Sequence, residues 1–472
     1  MSTTNTTSTD TISSETMPEK TATTKASYSN VSPQSGSLRK TTPSTRPQRP
    51  ENRRGNTKGS MKAEEYFTHP MDNEEHSKIP YFMRMQGSIT PRLLVPLVVV
   101  GAWATLITCI SRFVHPLIVS NLLLTVLGFV VALGISFRTS SAYERYVEGR
   151  KYWAQLSQSS RDLARQIWIH AQERHDKDPQ LGKEDLLGKL TALNLIVAFS
   201  VALMHKLRFE PYASYDDLAD LVSNLSTFAG DAYDPEVVSH REASKWKKAG
   251  DWLGLAFAES NPRKLIQRSK KNLGNLPLEI LTYLSAYVES IVQNKTFDNG
   301  TYQAMVMNDL NSMSEVLAGC ERVLSTPLPV AYSIAISQIT WVYVLALPFQ
   351  LWKDLQWITI PGTVVGAYII LGIAAIGRQI EDPFGHDTND LPLERFCNQI
   401  KTEIDIISSK APPKPEDFIK LEENKVLYSL SHPAWNARST EDIRASLKAK
   451  ANTKSGSSEP LQEVGRVPLA AV

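Results

Sequence analysis

The sequence predicts an all-α membrane protein, with four transmembrane helices in two hairpins and a helical cytosolic domain. Three observations predict it. Four long runs, 93–111, 113–137, 323–352 and 355–377, contain no Asp, Glu, Lys or Arg. The runs fall into two close pairs. Cationic side chains gather on one side of those pairs and are sparse in the short links.

The average composition hides this pattern. The 472 residues are 42% hydrophobic and 21% charged, with a formal net charge of +2. A mean hydropathy of −0.23 would suit a soluble protein, but the apolar residues are concentrated between very polar ends. A net charge so near zero argues against a nucleic-acid partner. Cys109, Cys320 and Cys397 are too far apart for a disulfide framework or a zinc site of usual spacing.

Taken in order, residues 1–70 read as a Ser/Thr-rich tail. The first sixty residues contain 25 Ser or Thr, and such a segment buries too little apolar surface to offset its ordering entropy. No apolar stretch follows Met1, which argues against a cleaved secretory signal. Asp10, Glu15 and Glu19 argue against a mitochondrial transit peptide. Basic residues from Arg39 to Lys58 suit either contact with anionic lipid or plain solvation.

The four uncharged runs then place spans at 93–111, 114–137, 324–352 and 356–377. A helix needs about 20 apolar residues to cross a hydrocarbon core. A fifth run, 190–204, would cover only about 23 Å and is bracketed by Lys189, Lys206 and Arg208, so it reads as a buried helix. Lys78, Arg84 and Arg92 precede the first span. Arg138, Arg145, Arg150 and Lys151 follow the second, and Arg378 follows the fourth. The positive-inside rule then puts both termini and residues 138–322 in the cytosol. A multi-pass protein is expected, in the plasma membrane or an organelle membrane.

The cytosolic part reads helical. Ser141-x-x-Glu144 forms a capping-box pattern for a helix starting after the second span. Ala142–Ile169, 277–293 and 302–323 carry helical periodicity, and no strand alternation stands out. Residues 411–472 form a C-terminal tail, expected to lose order after about 446.

No GxSxG, HExxH, Walker or GxGxxG signature occurs, and no two of the nine histidines are spaced i, i+4. The protein is therefore not expected to be an enzyme. Two features remain. Oxygen-bearing side chains crowd the Gly- and Pro-bent stretch Glu381–Pro392, which suits a hard cation such as calcium, or equally the caps that stop one helix and start the next. Phe129, Leu133 and Phe137 share one face of the second span. Copies of that face around an axis would make an apolar ring that gates by dewetting; ordinary packing or lipid contact would use the same residues.

Three motifs then resemble the bestrophin family, most closely its microbial branch. The first is Phe137-Arg138-x-x-x-Ala142-Tyr143-x-Arg145-Tyr146, continued by Glu148-x-Arg150-Lys151-x-Trp153. The second is Gly319-Cys320-Glu321-Arg322-Val323, running through Thr326-Pro327-Leu328-Pro329. The third is Ile380-Glu381-Asp382-Pro383-Phe384-Gly385 with Asn389-Asp390-Leu391-Pro392. The similarity covers roughly residues 75–405, within a channel domain at 71–410.

The resemblance implies a pentameric channel with one axial pore, passing chloride or other small anions, with Phe129, Leu133 and Phe137 at the narrow apolar neck. Some bacterial members favour cations, so a cation-selective channel of the same fold is the alternative. A membrane scaffold without conductance is a further one. Calcium-activated members carry an unbroken acidic run after Pro-Phe-Gly. Here Asp387 and Asp390 match two ligand positions, Asp382 stands where those members have Asn, and His386, Thr388 and Asn389 interrupt the run. Calcium is therefore disfavoured, and no cofactor is expected.

Overall fold

The computed structural model describes residues 87–232 and 272–453. The expected N-terminal tail lies outside the described residues. Four helices carry most of the uncharged runs: α1 (Thr90–Phe113), the first part of α2 (Asn121–His170), α8 (Val330–Leu355) and α9 (Thr359–Gln379). Between α1 and α8 lie α3 (Pro179–Leu207), two single turns α4 (Ala219–Val222) and α5 (Phe228–Asp231), α6 (Leu276–Gln293) and α7 (Gly300–Ser325). After α9 come α10 (Leu393–Ser408), α11 (Pro415–Ile419), a two-stranded ladder, α12 (His432–Asn436) and α13 (Thr440–Thr453).

The apolar helices are long enough to cross a bilayer, and they are wrapped by little else. Only 22–28% of the apolar windows of α1, α2 and α8–α9 is buried inside the chain. The α3 window also meets the length and hydropathy criteria, but 67% of it is buried. It contributes Leu193, Ile196, Phe199 and Leu203 to a large core shared with α2, α6, α7 and α10. An apolar surface already covered by protein gains nothing from lipid, so α3 is an internal helix.

In the membrane layer α1 and α2 each pack against α8 and α9. Leu93 and Val100 of α1 meet Val344 of α8 and Ala367 and Leu371 of α9. Val131 and Ile135 of α2 meet Ile336 of α8. Small residues permit these close crossings: a Cβ on Gly128 would stand 3.1 Å from the Tyr343 ring. The Trp103 indole N–H donates to the Leu345 carbonyl at 3.0 Å, tying α1 to α8. A 3-10 turn, Gln356–Ile358, joins α8 to α9.

Several boundaries differ from the sequence reading. The second span starts at Asn121 rather than 114, because 114–120 form the link. The third starts at Val330 rather than 324, because Pro327 and Pro329 separate it from α7. Ser141 starts no helix: α2 runs through it unbroken for 50 residues, about 75 Å, with no proline to interrupt its backbone bonds. Two short strands, Lys425–Leu427 and Leu430–Ser431, pair antiparallel. Tyr428 and Ser429 turn between them at φ 50° and 60°, the left-handed pair of a tight hairpin. Strands of three and two residues are too short to show a two-residue period. Helix α13 continues past 446 to Thr453, and the rest of the C-terminal tail lies outside the described residues.

Candidate functional site

Helix α2 presents two opposite faces. One edge, Leu124, Val131, Ile135, Arg138 and Ala142, is buried. The other carries Phe129, Leu133 and Phe137, which are 70%, 44% and 59% exposed. The structure therefore brings the three neck candidates onto one face, and that face is turned away from the protomer's own core. Packing within the protomer does not account for them.

Below the apolar stretch, α2 is bolted to the rest of the chain by arginines. Arg138 donates from Nη2 to Glu381 at 3.2 Å. Arg145 donates from Nε to the Glu381 carbonyl at 3.0 Å and from Nη2 to the Val323 carbonyl at 2.6 Å, and it also reaches the Thr326 carbonyl. It thus satisfies end-of-helix carbonyls of α7 that have no partner within the helix. Arg322 of α7 bonds back to Glu148 and to the Tyr152 hydroxyl, the latter at 2.8 Å. The sequence reading used these arginines as topology markers and as motif letters. Their bonding role was missed; the only signal was their charge beside an apolar span.

The loop between α9 and α10 is held by internal bonds. The Asp387 N–H donates to Asp390 Oδ2 at 2.8 Å, and the Asp390 N–H donates to the Asp387 carbonyl at 3.0 Å. Arg92, at the start of α1, donates to Asp387 Oδ1 at 2.8 Å. Asn389 donates to the Gly87 carbonyl at 3.0 Å. Phe384 is fully buried against Gly149 of α2, where a Cβ would stand only 3.0 Å from the ring. The structure thus joins Asp387 and Asp390, while Asp382 is exposed and makes no hydrogen bond or ion pair among the described residues. Burial, with the charges of Asp387 and Asp382, pushes the Asp390 carboxyl up to about 7. Among the described residues no three His, Cys, Asp or Glu side chains converge as metal ligands would.

Residues 71–406 match the family described as Bacterial/Fungal Bestrophin protein. The chain belongs to that family. Similar proteins include the voltage-dependent anion channel-forming protein alr2987 of Nostoc sp., 33% identical over 70% of this chain and 91% of the relative. Another is the voltage-dependent anion channel-forming protein sll1024 of Synechocystis sp., 29% identical over 74% and 97%. A solved structure of a bacterial bestrophin homolog from Klebsiella pneumoniae, a single-residue variant, covers 68% of this chain and all of its own with a TM-score of 0.50 and 22% identity; the likeness is one of fold. This bestrophin is an integral membrane protein.

Beside the loop, the bestrophin core holds an ion cluster. His205, in the last turn of α3, lies 2.6 Å from Glu210 through Nδ1 and 2.9 Å from Asp217 through Nε2. It stacks on Tyr215 with ring centroids 4.2 Å apart. Burial opposes the imidazolium, but the bonds to Asp217 and Glu210 outweigh it and raise the His205 pKa above the ordinary histidine value. Burial likewise opposes the Glu210 carboxylate, yet His205 and His386 hold its pKa down to about 2. Only a doubly protonated ring donates to both carboxylates at once.

Proposed function

We propose that this bestrophin is a passive channel for chloride and other small anions, assembled as a pentamer around the exposed face of α2. The observation that carries the reading is the exposure of Phe129, Leu133 and Phe137 on a membrane helix whose opposite edge packs on α8. Subunits facing one another across an axis would place these side chains in successive apolar rings, a constriction that passes ions when it wets. One protomer has too few such helices to enclose a path. The names of the cyanobacterial relatives support anion conduction. Absence of formal charge at the neck suits selectivity by backbone dipoles and helix N-termini, which stabilise anions without trapping them. No catalysis is involved.

Both termini and the α3–α7 layer lie on the cytosolic side, supported by the cluster of Arg138, Arg145, Arg150 and Lys151 below the apolar part of α2; the plasma membrane is the proposed location. Opening does not require calcium. In support, Asp387 is engaged by a guanidinium, and a calcium site needs six to eight oxygen ligands free to coordinate.

Purified protein tests the proposal directly. It should run as a pentamer in mild detergent and release chloride from loaded proteoliposomes, also with chelator present. A monomer that leaves the vesicles tight would contradict the reading.

A further inference from the structure

A cavity of about 630 Å³ opens where the apolar bundle meets the α9–α10 loop. One wall belongs to the membrane layer, with Leu93 of α1, Trp341 of α8 and Leu371 of α9. The other wall carries charges of both signs, and most of them are already paired. Arg92 bonds Asp387 at 2.8 Å, Arg138 bonds Glu381 at 3.2 Å and Arg208 bonds Glu394 at 2.6 Å.

Two charges on this wall are not paired. Arg378, in the last turn of α9, and Asp382, four residues on, both line the cavity. Neither makes a hydrogen bond or ion pair among the described residues, with each other or with anything else.

We propose that this cavity binds the head of a phosphatidylethanolamine-type lipid, with its phosphate on Arg378 and its primary ammonium on Asp382. A simple anion would answer the guanidinium and leave the carboxylate; a simple cation would do the reverse. A zwitterion answers both. Guanidinium suits phosphate oxygens, which accept two parallel N–H bonds. A primary ammonium offers three N–H donors to a carboxylate, and Asp390 on the same wall supplies a second acceptor. The apolar wall continues into the membrane layer, so the acyl chains have a surface to lie on.

The test uses the full-length protein, reconstituted with equal amounts of phosphatidylethanolamine, phosphatidylglycerol and phosphatidylcholine, then released and weighed by native mass spectrometry. Choline has no N–H to donate and glycerol carries no cation. The ethanolamine lipid should therefore be retained about tenfold over either, the value of one charge-assisted bond. Asp382→Asn should bring the three lipids to parity, whereas Arg378→Gln should lower the retention of all three, since each carries the phosphate, and Arg378→Lys should keep part of that retention. Since neither side chain has a partner within the described chain, these variants should assemble normally, which size-exclusion checks. Equal retention of all three lipids by the unaltered protein would overturn the proposal, as would a preference that survives Asp382→Asn or a total retention that Arg378→Gln leaves unchanged. Displacement of the lipid by millimolar soluble O-phosphoethanolamine would overturn the lipid source in favour of a soluble zwitterion.

Discussion

At the scale of single residues, His205 carries a pH dependence whose sign follows from its partners. Its folded-state pKa is raised by two carboxylates against burial. Its stabilising contribution is thus fully present below the unfolded value of about 6.5 and is lost as pH rises through the folded value. Thermal stability in detergent should therefore fall on going alkaline from neutral pH. His205→Gln should flatten that fall and cost about 1–3 kcal/mol at pH 6, because a half-buried carboxylate loses its donor. A variant with the parent's pH curve would show that the cluster does not titrate as argued. The neck candidates make a second prediction. Replacing Phe129, Leu133 and Phe137 together by Ala should hydrate the constriction and raise open probability. It should change anion-to-cation preference little, since no charge is altered. Because these side chains are exposed in the protomer, the substitutions should not carry the 2–5 kcal/mol typical of a core cavity. Recordings from intact oligomers with unchanged open probability would remove this face as the gate.

At the scale of elements, the α2–α7 contact depends on a glycine. A Cβ on Gly319 would stand 2.3 Å from the Tyr152 ring, and Arg322 holds that tyrosine's hydroxyl at 2.8 Å. Gly319→Ala gains up to about 1 kcal/mol of helix propensity but forces overpacking worth about 1–3 kcal/mol. The net effect should be a lower melting temperature, measurable by tryptophan fluorescence; an unchanged or higher value would mean the ring moves freely. Much at this scale was legible in the sequence. The apolar runs, the helices at 277–293 and 302–323 and the shared face of Phe129, Leu133 and Phe137 all rest on local periodicity, which a sequence displays. Arg138 and Arg145 were different. Their partners Glu381 and Thr326 are 243 and 181 residues away, and no local pattern encodes such a bond. The capping-box reading of Ser141 failed for a related reason: a four-residue signal was outweighed by a helix continuous on both sides.

At the scale of the whole molecule, the topology is open to a chemical check. With both termini cytosolic, the sequons at Asn224, Asn294 and Asn299 should remain unglycosylated in a eukaryotic host. The structure gives two of these asparagines other work: Asn294 accepts from the Thr296 N–H at 3.0 Å, and Asn299 caps α7. An endoglycosidase-sensitive mass that disappears on Asn224→Gln would reverse the orientation.

The central claim is anion conduction through an assembled pore, and the reversal potential in a planar bilayer tests it most directly. With purified protein, a potassium chloride gradient and chelator on both sides, the current should reverse close to the chloride equilibrium potential. Reversal close to the potassium equilibrium potential, or a bilayer that stays silent with intact oligomers present, would contradict it.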